Sequence, residues 1–321
     1  MMNGIVIFFR LLIKHKWKIM LTISMTITFL VLLFPLSDLN DLISSQVSKL
    51  TNNRVFIQFD KMHLNPLTAS LSLEKVYVDT TQISSLTSRE LSLRPSIAAL
   101  IAKKPGGTIN AKGFLKGDLE ISVHPTSSSN GVDKSKIDIN ANNLSLSEAR
   151  DVANISLPIK GQLSITSQAL ADLTMTEQPE MDLNLTIMKF EMASTFVPLN
   201  DFGQIALPEI KMSKVELKGR LSNGKFIIET GKLGSSLDEV YGDIKGDLSI
   251  SFQNINGQIT PVIGAYNISL DIKAKPSFKD KAKLFLSFLD GYKVDAGAVS
   301  NYKFKVFATA MGIPPQFTPM N

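Results

Sequence analysis

From Val55 onward, apolar side chains return at every second residue. Leu71 and Leu73, Leu91 and Leu93, Leu119, Ile121 and Val123, then Ile137 and Ile139 alternate with polar neighbours. The same period runs through Leu163 and Ile165, Leu183, Leu185 and Ile187, Leu248, Ile250 and Phe252, and Ile268, Leu270 and Ile272. Successive side chains of a strand point to opposite faces, so the pattern predicts strands with one apolar and one polar face. A wet face of Ser, Thr, Asn, Lys and Asp suits antiparallel pairing, because parallel sheets are covered on both sides. The expected fold is mainly β.

A helical period is confined to short stretches. Leu39, Leu42, Ile43, Val47 and Leu50 fall on one helical face, with Ser37 or Asp38 available as a cap and Thr51-Asn52-Asn53 as the terminator. Three later stretches read as helices: Pro95 to Ala102, Ser145 to Asn154 and Lys279 to Leu289. Ser145 and Glu148 have the spacing of a capping box, and Gly291 follows the last stretch as a stop. The segment PTSSSNGVDK, residues 125–134, is the strongest loop signal and a candidate division between two lobes.

The N-terminus has a different character. Ile19 to Leu36 is a run of 18 residues without a charge; as a helix it would be roughly 27 Å long, about one hydrocarbon core. It predicts a membrane anchor over 19–36 whose apolar body includes Ile19, Phe29, Leu30, Leu33 and Leu36. Arg10, Lys14, Lys16 and Lys18 flank one side only, which puts residues 1–18 in the cytoplasm and residues 37–321 across the membrane. A cleaved signal peptide would end in a small-x-small site, and Phe34-Pro35-Leu36-Ser37-Asp38 offers none. The four bases of residues 1–37 also carry most of the net charge of +5, leaving 30 bases against 29 acids in the body. A neutral body lacks the basic footprint that a phosphate backbone requires, which argues against nucleic acid as a partner.

Chemistry has little to stand on. The absence of cysteine excludes disulfides, thiolate metal sites and cysteine nucleophiles. His15, His63 and His124 are scattered, with no metal-ligand spacing. No nucleophile elbow or phosphate-binding loop occurs, and Gly106-Gly107 follows Pro105 as a turn into a strand. Asp238 and Glu239 read as a solvated turn. No catalytic residue, metal or cofactor is expected. One pattern recurs, LKGDLEIS from Leu115, IKGQLSIT from Ile159, LKGRLSN from Leu217 and IKGDLSIS from Ile244, at spacings too uneven for a solenoid. A glycine in such a strand marks a bulge or a close backbone approach.

Taken in order, the pieces resemble a known family. The anchor, the juxtamembrane helix, the strand RVFIQF, the pair SLSLEKVYV, and then SRELSLRPSIAALIAKKPGGTINAKGFLKGDLEIS look like protein N of the bacterial type II (general) secretion pathway, in the variant form related to AsmA-like envelope proteins. The matching pieces are Leu91-Ser92-Leu93-Arg94-Pro95, the short helix to Ile101, and the Gly107 to Val123 hairpin with Gly113 and Gly117. The segments starting at Ser145, Leu207 and Phe285 follow in the family's order. The resemblance implies a single-pass protein of the bacterial inner membrane with a periplasmic β-body associated with the secretion machinery. Its AsmA-like side implies an elongated, curved sheet with an apolar concave face, linked to lipid movement.

Two functions follow as expectations. The first is a non-enzymatic component or assembly factor of the type II secretion system, whose sheet edges bind secretion-system or envelope proteins by strand addition. The second is a lipid-handling groove that takes a phospholipid as ligand and membrane lipid as its source. Its candidate lining is Leu91, Leu93, Ile121, Leu185, Ile187, Ile250 and Leu270, for which an ordinary sheet core is the competing reading.

Overall fold

The computed structural model describes residues 16–33, 39–65, 68–80, 85–126, 133–199, 203–255, 258–296, 299–310 and 312–320. The strands are β1 (Val55–Gln58), β2 (Lys61–Asn65), β3 (Ser70–Thr80), β4 (Leu86–Pro95), β5 (Gly107–Phe114), β6 (Gly117–Pro125), β7 (Lys134–Ser145), β8 (Ile159–Asp172) and β9 (Glu180–Met192), followed by β10 (Thr195–Leu199), β11 (Gly203–Leu207), β12 (Ile210–Ser222), β13 (Lys225–Leu233), β14 (Val240–Ile255), β15 (Gln258–Ala274), β16 (Lys293–Ala296), β17 (Val299–Ala308) and β18 (Gln316–Pro319). Sixteen of them form one open antiparallel sheet, ordered β1-β3-β4-β5-β6-β7-β8-β9-β12-β13-β14-β15-β17-β16, with β2 beside β3 and β18 beside β17. The path is a meander. At about 4.8 Å per strand it runs roughly 60 Å from edge to edge. β10 and β11 form a separate hairpin. The 125–134 loop joins β6 and β7, which are neighbours in the sheet from Asp118↔Asn142 to Pro125↔Ser135; its residues 127–132 lie outside the described residues.

The helices are α1 (Lys16–Leu33), α2 (Asn40–Leu50), α3 (Ile97–Ile101), α4 (Leu146–Val152), α5 (Pro276–Lys281) and α6 (Lys283–Ser287). In α1, Lys16 and Lys18 occupy the first turn, which leaves the uncharged stretch Ile19–Leu33, about 22 Å of helix. Among the described residues no helix is long and apolar enough to cross a membrane. Ile19, Phe29, Leu30 and Leu33 lie on α1, whereas Arg10, Lys14 and Leu36 lie outside the described residues. Trp17, Met20, Leu21, Ile23, Met25 and Phe29 are all more than half exposed.

Helix α2 departs from its expected face. Leu39 and Ile43 pack on the cluster of Phe59, Met62, Leu73 and Val76, but Leu42 and Leu50 point to solvent. Polar residues take the inward places: Asn40 donates to the Phe59 carbonyl at 2.6 Å, Ser44 to the Ile57 carbonyl at 2.7 Å, and Thr51 to the Val55 carbonyl at 3.4 Å. These carbonyls alternate along the outer edge of β1, so α2 satisfies a sheet edge that would otherwise pair with another chain. The register of the helix is set by the edge as much as by the core.

Other expectations were altered in detail. Ser145 ends β7 and precedes α4, but its hydroxyl meets Ser147 at 2.9 Å, and Glu148 pairs with Lys116 at 2.6 Å in place of a capping box. The Lys279–Leu289 helix is split at Ala282, where φ is −111°, so that both α5 and α6 can place Phe278, Ala282 and Leu286 inward. The recurring Lys-Gly glycines mark close approaches. A Cβ on Gly219 would lie 2.6 Å from the Ile227 carbonyl oxygen, on Gly117 2.7 Å from that of Asn143, and on Gly246 2.8 Å from the Ile268 Cα. Gly161 and Gly219 also fall at register shifts, where an extra residue increases bend and twist.

Candidate functional site: an apolar sheet face

The strand register assembles the alternating residues into rows across the sheet. One row runs Met62-Leu73-Leu91-Ala111-Leu119-Ala141-Ile165-Leu185-Leu217-Gly231-Ile244-Leu270-Phe304 without a polar interruption. A neighbouring row reads Leu64-Leu71-Leu93-Ile109-Ile121-Ile139-Ser167-Leu183-Gly219-Ile228-Gly246-Ile268-Val306. Leu144, Leu163, Ile187, Val215 and Leu233 align on the other side of the first row. All seven proposed lining residues therefore share one face: Leu91, Leu185 and Leu270 in the first row, Leu93 and Ile121 in the second, Ile187 in the third. Ile250 joins them through the cluster of Leu221, Phe226 and Ile228. None of the seven is fully buried.

The opposite face is a polar ladder. Lys112 meets Glu90 at 3.1 Å, Lys225 meets Asp247 at 3.1 Å, and Thr108 meets Ser122 at 3.0 Å between adjacent strands. The hydrogen bond from Lys112 holds the Glu90 carboxyl below its ordinary value. These pairs are exposed enough to contribute little stability each, but they mark this face as the wet one.

Cover on the apolar face is uneven. Chain direction divides the strand ends into two groups, one at Pro95 and one at Leu144. The Leu144 end carries α4, the β10–β11 hairpin and the α5–α6 pair. There Phe278, Ala282, Leu286 and Leu289 close over Met212, Val240, Ala274, Tyr302 and Phe304. Toward the Pro95 end, the face of β4 to β7 has no helix over it among the described residues. Leu93, Val123, Ile121, Ile137 and Ile139 are only partly buried, and Ile109 is 43% exposed.

At that end lies a recess of about 360 Å³, lined by Leu93, Pro95, Pro105, Ile109, Val123 and Leu173. This volume falls in the range of small-ligand sites, which are mostly apolar. Leu173 follows β8, four strands from β4 along the sheet, yet lines the same recess. The turn that brings it there is strapped down. The Asp172 carboxylate accepts hydrogen bonds from the Thr176 hydroxyl, from the Thr174 amide at 2.9 Å and hydroxyl at 2.8 Å, and from the Thr176 amide at 3.0 Å. The Thr176 hydroxyl first, then the Thr174 donors, hold this carboxyl far below the usual carboxylate range. Gln178 exchanges two hydrogen bonds with the Phe252 backbone, at 2.8 and 3.0 Å.

The remaining polar groups do structural work. Burial pushes the Asp238 carboxyl up, but backbone and hydroxyl hydrogen bonds from Ser213 and Ser235 outweigh it and leave the group below its ordinary value, as a staple for the β13–β14 turn. His63 meets Glu74 at 3.1 Å on the exposed surface. Among the described residues no three His, Asp or Glu side chains converge on a metal-sized site. Ile139 belongs to the alternation read from the sequence but not to the proposed lining, and Ile109 and Leu173 belong to neither, although Ile109 and Ala111 carry the same alternation. Compared with models of known families, with curated proteins and with solved structures, the chain matches none.

Proposed function

We propose that this protein is a membrane-tethered lipid-binding protein without enzymatic activity, whose open apolar sheet face holds the acyl part of a phospholipid. The observation that carries the reading is the Leu64 to Ile139 row: six strands of aliphatic side chains in register, with Ile109 nearly half exposed and no helix over β4 to β7 at this end among the described residues. Uncovered apolar area of this extent marks a binding surface. The sheet is read as curved toward the apolar face, as in AsmA-like proteins, because Leu173 and Leu93 line one recess from four strands apart and Gln178 reaches Phe252 across β12 and β13. The tether is α1, whose exposed apolar surface suits lipid, placed in the bacterial inner membrane with the β-body in the periplasm.

The full chain, extracted in mild detergent and analysed by mass spectrometry of bound lipid, tests this. Stoichiometric phospholipid is the expected result, and an empty protein refutes it. The second reading is a component of the type II secretion system. It rests on the sequence resemblance and on the C-terminal sheet edge, where the short, exposed β18 pairs with no strand but β17 among the described residues, although the Tyr292 hydroxyl donates to its Phe317 carbonyl at 3.4 Å. Strand addition there, and not at the β1 edge that α2 covers, is what that reading requires.

A further inference from the structure

The turn α3 lies on the β4–β5 connection and presents an unusual surface. Its Ser96 hydroxyl accepts from the Ala99 amide at 3.3 Å, and Ala99 is fully buried, so the turn is fixed to the sheet. Its other side chains face away. Ile97 is 64% exposed, Leu100 61% and Ile101 80%. The spacing i, i+3, i+4 places all three on one side of the turn. Arg94 precedes it and Lys103 follows, both exposed, while Lys104 is held by Asp133 at 2.9 Å.

The position of α3 decides what this surface meets. Helix α2 runs antiparallel to β1, with Thr51 at Val55 and Asn40 at Phe59. Its N-terminus therefore points toward the Pro95 end of the sheet. Seven residue steps separate Leu33, the end of α1, from Asn40, a reach of at most roughly 25 Å. Asn40 itself stands beside Phe59, level with Val76 and Ser88 and seven residues short of Pro95, a distance of about 23 Å along the strand. The link is long enough to bring α1 to the Pro95 end, toward which α2 points, and the recess at Leu93, Pro95 and Ile109 opens there beside the turn.

We infer that α3 is a membrane foot: Ile97, Leu100 and Ile101 enter the interfacial layer of the bilayer that holds α1, with Arg94 and Lys103 at the anionic headgroups. Exposed aliphatic side chains flanked by basic residues are what an interfacial contact requires. The foot holds the open end of the apolar face against the lipid surface, while the α4, α5 and α6 end stays capped in water. The inference rests on the reading of α1 as a membrane anchor.

The chain has no cysteine, so single labels can be placed without background. In the full chain, Ile101→Cys, Leu100→Cys, Ile23→Cys and Leu237→Cys are each labelled with an environment-sensitive fluorophore. Each is reconstituted in vesicles of phosphatidylethanolamine and phosphatidylglycerol carrying lipid-attached quenchers. The expected result is quenching at positions 23, 100 and 101 and none at 237, which is 89% exposed in the β13–β14 turn at the capped end. Quenching at 23 with positions 100 and 101 in water overturns the foot and leaves the anchor standing. No quenching at 23 overturns the anchor, and the foot with it.

Discussion

Replacing Ile109 by Ser separates an open binding face from a closed core. Full burial of an isoleucine side chain stabilises a fold by about 1.5–3 kcal/mol. Ile109 is 43% exposed and so has collected little more than half of this. The expected cost of Ile109→Ser is therefore about 1–1.5 kcal/mol. Leu73, in the adjacent row, is 2% exposed and surrounded by Phe59, Met62 and Val76. Truncation of such a residue costs about 2–5 kcal/mol, because a cavity is left behind. At roughly 2–4 °C per kcal/mol for a body of this size, Ile109→Ser lowers Tm by a few degrees and Leu73→Ala by about ten. Thermal unfolding followed by circular dichroism, paired with extraction of bound lipid, reads both effects. Ile109→Ser is expected to fold and lose phospholipid, whereas Leu73→Ala loses stability and retains its lipid. Equal destabilisation by the two would show that the face is a sealed core and refute the reasoning.

Other perturbations probe the supports of the face. Gly219→Ala places a Cβ 2.6 Å from the Ile227 carbonyl oxygen and against the Phe226 ring, an overpacking expected to cost about 1–3 kcal/mol in a denaturant titration. Because the folded Asp172 carboxyl titrates below its unfolded value, its stabilising contribution is present above the ordinary carboxylate pKa of about 3.9 and is lost as pH falls toward the folded value. Asp172→Asn is accordingly expected to lower Tm at neutral pH and to flatten the decline of Tm below about pH 4. A double variant Asn40→Ala, Ser44→Ala leaves the outer carbonyls of Phe59 and Ile57 without their donors; concentration-dependent association, seen by light scattering, is expected from the uncovered edge.

The architecture was largely legible in the alternation, because a period of two permits few arrangements and turn signals between strands permit a meander. Leu91, Leu185 and Leu270 could be named, but their alignment in one row depends on register, which bulges at Gly161, Gly219 and Leu248 reset. Burial could not be read either. Leu73 and Leu93 have the same local pattern, and they differ because α2 packs on the cluster around one, while the other, partly buried, has no helix over it among the described residues. Helix faces were read less well where polar contacts prevailed. Ser44 turns inward on α2 to the Ile57 carbonyl of β1 and Ser48 to the Asn53 side chain in the following turn, while Leu42 and Leu50 point outward, since satisfying these polar groups outweighs burying two more leucines. The α3 turn was expected as a helix, but the outward direction of Ile97, Leu100 and Ile101 follows from how Ala99 packs, which no spacing in the sequence reveals.

Neighbouring residues of one strand test the central claim most directly, because a single step along β6 exchanges the two faces. A photoactivatable cross-linker replaces Ile121, on the apolar face, or Glu120, exposed on the polar face, in the full chain within its native membrane. Irradiation is expected to attach phospholipid at position 121 and not at 120. Equal labelling at both positions, or phospholipid at neither, would contradict a lipid-binding face.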